Sequence, residues 1–189
     1  MKNRVQTLAQ AITVLNTLLQ AWGISYNSYV AKDTTMYLTF DAKGKGSIVQ
    51  LVDPNTKKLE GTTNFDGNKL DKGRYLVIDG IRGLYEATEL TVGAAKWESD
   101  AIAAIKNGEL SIIQDGEIFN LPLTEVFNIH YAAANGNGDD FRDLSHFPTI
   151  RPETVFKIQW TFPYGVVVPA NVTAALARIE FRCHEVVLS

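Results

Sequence analysis

The stretch "ARIEFRCHEV", Ala177 to Val186, decides the fold. Ile179, Phe181 and Cys183 alternate with Arg178, Glu180, Arg182 and His184, the period of two at which a strand turns one face to a core and the other to polar surroundings. The same period runs through "FKIQWTF", where Phe156, Ile158, Trp160 and Phe162 alternate with Lys157, Gln159 and Thr161. "PYGVVVPANVTAAL", Pro163 to Leu176, joins the two strands and is too long for a tight hairpin loop.

Upstream, "ELSIIQDGEIFNLP" places β-rich arms on either side of Asp115-Gly116, a hairpin signature. "LTEVFNIHYAAA" after it reads as a further strand. "MYLTF" (Met36 to Phe40) and "SIVQLVD" (Ser47 to Asp53) flank the loop "DAKGKG". In "RYLVIDGIRGLYEATELTV", Arg74 to Val92, the pair Asp79-Gly80 is either a type I′ turn or a bulge in one long strand. "WESDAIAAIKNG", Trp97 to Gly108, reads as a helix with Ser99 or Asp100 as N-cap and Asn107-Gly108 as its stop. About eight or nine strands, few helices and no βαβ alternation predict a mainly β protein built as an antiparallel sandwich or barrel.

The clearest helix is "VQTLAQAITVLNTLLQAW", closed by Gly23. Val5, Leu8, Ile12, Leu15, Leu19 and Trp22 recur at spacings of three and four, a narrow seam that suits a partner surface. From Val5 to Val30 there is no charged residue, and the polar face is Gln, Thr and Asn. Such neutral groups can be covered at modest cost when hydrogen-bonded. They also interrupt the apolar run, which argues against a secretory signal or a membrane span. Three partners are open for the seam: the chain's own sheet, another subunit, or, less favoured, a membrane surface. Residues 1–23 are therefore read as an amphipathic assembly arm or docking helix, and 24–189 as a β-sandwich domain. The six seam residues form the candidate interface.

A chain of 189 residues, 46% of them hydrophobic, is long enough for one substantial core. Its net charge of -3 gives no basic footprint for direct nucleic-acid binding. The single cysteine, Cys183, excludes an intrachain disulfide and lies on the apolar side of its strand as an inert core residue.

The most suggestive polar cluster is "NGNGDDFRDLSHF", Asn135 to Phe147. Asn135, Asn137 and Asp139 mimic the start of an EF-hand loop, but Asp140 stands where that loop needs Gly and His146 where it needs Glu. With Asp140 and Asp143 these residues read better as a contact loop. His130, His146 and His184 lack zinc-ligand spacing, "KGKGS" is too short for a phosphate loop, and no G-x-S-x-G elbow occurs. No catalytic residue, metal site or cofactor is assigned, and the chain is not expected to be an enzyme.

The order "IKNGELSIIQDGEIFNLPLTEVF", a polar loop, "FPTIRPETVFKIQWTF" and a closing "ARIEFRCHEVVLS" resembles the jelly-roll capsid proteins of tailless icosahedral bacteriophages. The likeness covers Ile105 to Ser189 and is a pattern of strands and turns. It implies a single jelly-roll-like antiparallel β-sandwich with an N-terminal amphipathic helix, made in the host cytoplasm and built into the virion. The partners implied are a homo-oligomer and other virion proteins. Many such capsid proteins carry two jelly rolls in tandem, whereas this chain has room for one, which leaves coat, vertex and decoration roles open. A carbohydrate- or ligand-binding sandwich, lectin-like or part of a fibre, is the alternative; Trp97, Tyr131, Phe147 and Tyr164 would be its candidate aromatics. Trp22 and Trp160 read as packing residues.

Overall fold

A computed structural model of the chain describes residues 4–127 and 141–188, with side chains from residue 7 onward. The strands are β1 (Tyr29–Asp41), β2 (Ile48–Gln50), β3 (Arg74–Glu86), β4 (Glu109–Gln114), β5 (Glu117–Pro122), β6 (Arg142–Asp143), β7 (Thr149–Ile150), β8 (Phe156–Thr161) and β9 (Leu176–Leu188). The helices are α1 (Arg4–Ala21) and the single turns α2 (Ala103–Lys106) and α3 (Thr124–Phe127). The named strands pair antiparallel in two sheets. One runs β1-β9-β3-β6, with β7 also on β3; the other runs β2-β8-β4-β5.

The two strands that anchored the sequence reading hold the core. In β8, Phe156, Ile158 and Trp160 are fully buried, and Trp160 is ringed by Phe40, Phe127 and Phe162 at 5.1, 5.7 and 6.1 Å between centroids. In β9, Ile179, Phe181 and Cys183 join the same core, and burial pushes the Cys183 thiol well up. The Asp115-Gly116 hairpin forms as expected, both residues having positive φ (53° and 82°), the two-residue turn whose twist matches the strands.

Four expectations need correction or completion. Asp79-Gly80 is a bulge within β3, where the register against β9 shifts between Ile78 and Gly80. The helix expected over Trp97–Gly108 shrinks to Ala103–Lys106; its N-cap is Ile102, and Ser99 instead accepts a hydrogen bond from the Ala87 N–H. Trp97, at φ 59°, cannot belong to a right-handed helix. The strand expected in "LTEVF" is the helical turn α3, with Val126 buried beneath it; the rest of that segment lies outside the described residues.

Helix α1 docks on its own chain. It packs against β3, and Ala11, Leu15 and Leu19 belong to the same core as the sheets. Leu15 and Leu19, each 1% exposed, are the middle of the candidate interface, so a partner cannot reach them. Leu8, Ile12 and Trp22 are half-buried, and the Val5 side chain lies outside those described. The helix ends in a Schellman motif: Ile24 N–H donates to Leu19 O (2.9 Å) and Gly23 N–H to Gln20 O (3.1 Å), with Gly23 at φ 69°.

Candidate functional site: a covered charge ladder and an aromatic cleft

Strand β9 lies between β1 and β3, so charges on it meet partners from both sides. The expected polar face is not in water: Glu180, Arg182 and His184 are all buried. Burial of ionised groups requires pairing, and the ladder supplies it. Arg178 Nε donates to Glu180 Oε1 at 2.7 Å, and its guanidinium lies 4.1 Å from the Tyr37 ring centroid. Arg82 Nε donates to Glu180 Oε2 at 3.0 Å, and Arg82 Nη2 joins the same oxygen.

One step along β9, Arg182 reaches two carboxylates, Asp79 Oδ1 at 2.9 Å through Nε and Asp143 Oδ1 at 2.6 Å through Nη2. His184 Nδ1 lies 2.9 Å from Asp33 Oδ1, and its Nε2 lies 3.5 Å from Asp79 Oδ2. Phe141 covers the ladder, with Arg82 and Arg182 at 4.6 and 5.4 Å from its ring centroid. The bulge makes this arrangement. It turns Asp79 toward Arg182, while Gly80 leaves space that a Cβ would occupy 3.0 Å from Arg182 Nη2. Burial alone would raise the Asp79 pKa; the nearby His184 imidazole and the hydrogen-bonded Arg182 guanidinium outweigh it and hold the carboxyl below its ordinary value.

A second buried anion organises the next loop. Glu86 Oε1 accepts from Thr88 N (2.8 Å), Thr88 Oγ1 (2.7 Å) and Glu89 N (3.2 Å), and Oε2 from Lys96 N (2.9 Å) and Trp97 N (3.3 Å). Burial opposes ionisation here too, yet these donors bring the pKa down to about 2. Both anions are committed to neighbours, Asp79 to Arg182 and Glu86 to the loop that follows β3, and so tie this face together.

A cleft of about 700 Å³ opens at the end of the sandwich, where α1 ends, β9 ends and the lead into β8 passes. Trp22 stacks on Tyr75 of β3, with centroids 6.4 Å apart and planes at 12°, and the Arg151 guanidinium lies 4.7 Å from the Trp22 centroid. Arg151 is fixed by Asp115 at 2.6 Å. Ile24, Tyr26 and Leu188 form an apolar rim. Beside α1 a smaller groove is lined by Val14, Leu18, Ile112 and Phe147. On the helix's outward side, Thr13 Oγ1 donates to Ala9 O (2.9 Å) and Thr17 Oγ1 to Thr13 O (3.0 Å), so these hydroxyls are satisfied without a partner.

The proposed contact loop largely falls outside the described residues: Asn135, Asn137, Asp139 and Asp140 all do. Asp143 is described: it is exposed, and its Oδ1 accepts from Arg182 Nη2 at 2.6 Å, which ties that segment to the sheet. Of the candidate carbohydrate aromatics, Phe147 is buried, Trp97 lies 5.6 Å from the Arg178 guanidinium, and Tyr164 stands fully exposed on another loop; Tyr131 lies outside the described residues. Among the described residues no group of three or more His, Cys, Asp or Glu side chains is placed to hold a metal.

Periodicity and motif spacing do not mark Asp33 or Arg151, and mark Asp79 only as half of a turn or bulge. One signal was available: four ionisable residues at alternate positions of one long strand demand partners if that strand is central. No protein-family model matches the chain, and no curated protein matches it.

Proposed function

We propose that the chain is a virion structural protein, a jelly-roll capsid or capsid-associated subunit that assembles with copies of itself and with other virion proteins. Strand order carries the reading. β6 and β7 both run antiparallel to β3 and count as one interrupted strand, giving sheets ordered first-last-third-sixth and second-seventh-fourth-fifth. Rolling up a long antiparallel hairpin, first strand paired with last and fourth with fifth, would produce that order, which supports a jelly roll.

A sandwich alone hosts many roles, so the virion assignment also leans on the resemblance over Ile105 to Ser189. A rigid framework suits it. The sheet is cross-tied through its charge ladder, and α1 fastens to β3. With a net charge of -3, another virion component would meet the genome.

Sedimentation velocity and negative-stain electron microscopy of the purified full chain, over a range of concentration and salt, test the reading. Discrete oligomers or closed particles are expected. A monomer under every condition, combined with selective binding on a glycan array, would replace it with the ligand-binding module.

A further inference from the structure

We propose that the Trp22 cleft is the socket for the Tyr164 ring of a second copy of this chain, a contact that rests on the assembly reading above and names its parts. The knob is unusual. Tyr164 is fully exposed, although an aromatic ring gains most of its free energy by leaving water. It stands on a tight turn, closed by Val166 N–H to Pro163 O at 3.0 Å with Gly165 at φ 72°. The base of the turn is pinned, since Val168 N–H donates to Lys45 O (2.8 Å) and Gly44 N–H to Val168 O (3.0 Å). Exposed Val167 and Ile48 lie in the same region, Val167 bridged to Gly46. A turn whose backbone is held in place before binding loses little main-chain freedom on docking.

The socket lies at the other end of the molecule. The turn follows β8 and precedes β9, while the cleft contains the lead into β8 and the last residue of β9. The thirteen residues of β9 separate the two ends by roughly 40 Å at the rise of a strand. Tyr164 therefore cannot reach its own cleft, but a second copy can bring it there. The apolar rim of Ile24, Tyr26 and Leu188 matches the ring and the adjoining valine, and Lys72, Ser25 and Arg151 offer donors to the phenol oxygen. One patch meeting a different patch is a heterologous contact, the kind that builds rings and shells.

The test uses two variants at exposed positions. Tyr164→Ser removes the knob, and Ser25→Trp fills the socket; circular dichroism melting of both should match the unmodified chain. In sedimentation velocity the unmodified chain should associate with rising concentration, and each variant alone should associate roughly tenfold or more weakly. Mixed together, the two variants should form a one-to-one dimer, because the first keeps a socket and the second a knob. Association of both variants at full strength would overturn the knob and socket while leaving the assembly reading standing. A chain that never associates would overturn both. Loss in one variant only, or a mixture that stays monomeric, would show that Tyr164 and the cleft do not meet each other.

Discussion

Arg182 and Asp79 form an ion pair at 2.9 Å whose side chains are 4% and 1% exposed, and an extra residue in β3 is what brings them together. Asp79→Ala removes a carboxylate that faces both Arg182 and His184, and leaves a buried guanidinium short of one charge partner. The expected loss is about 3–5 kcal/mol of unfolding free energy, because a broken buried pair costs more than the pair contributed. The double variant Asp79→Leu with Arg182→Met should lose clearly less than the sum of the single losses. Urea denaturation of Asp79→Leu, Arg182→Met and the double variant measures that coupling, and additive losses would mean that the pair is not a unit.

Gly80 tests the bulge itself. A methyl group there would lie 3.0 Å from Arg182 Nη2 and 3.1 Å from its Cζ, and the guanidinium, held by two carboxylates, has little freedom to retreat. Gly80→Ala should destabilise by about 1–3 kcal/mol, the usual range for overpacking. Combining it with Arg182→Met should recover part of that loss in the same denaturation assay.

How legible the fold was depended on how local each cause is. The β4–β5 hairpin was readable because Asp115-Gly116 alone sets its turn, and β8 because its alternation is complete. The bulge was undecidable, since Asp-Gly suits a turn or a bulge equally; its outcome rests on Arg182, far away in sequence. The spacing of β9 showed which side chains share a face. It could not show that the polar face is roofed, because Phe141 and the partners Asp33 and Asp79 come from other parts of the chain. The short helix α2 starts late for a related reason: Ser99, an expected N-cap, accepts instead from the Ala87 N–H at the end of β3, a partner distant in sequence. For the N-terminal seam, a spacing of three and four fits any apolar surface, so the choice of β3 lay outside its reach.

The two depressed carboxyls set the acid limb of stability. Each has a lower pKa folded than its ordinary value, so its contribution is complete above the ordinary carboxylate range and is lost as pH falls toward the folded value. For Glu86 the window runs from 4.5 down to about 2. Urea midpoints should be flat near neutrality and fall steeply below about pH 5. Glu86→Gln should cost about 2–3 kcal/mol at neutral pH, since its amide turns donors toward donors, and should flatten the acid limb. Parallel pH profiles for the variant and the unmodified chain would remove Glu86 from the account.

The helix offers the sharpest contrast between a residue that the fold uses and one that it leaves outside. Leu15 is buried among core residues, whereas Thr17 faces outward with its hydroxyl turned back to Thr13 O. Leu15→Ala should lose about 2–5 kcal/mol, the cost of a core truncation. Leu15→Asp should lose more, because it leaves an unpaired charge in the core, and Ile179→Asp should prevent folding for the same reason. Thr17→Lys should stay within about 0.5 kcal/mol of the unmodified chain. Thermal melting of the dilute chain separates the cases. A stable Leu15→Asp variant that has lost only its oligomer would mean that the seam packs against another copy instead of β3.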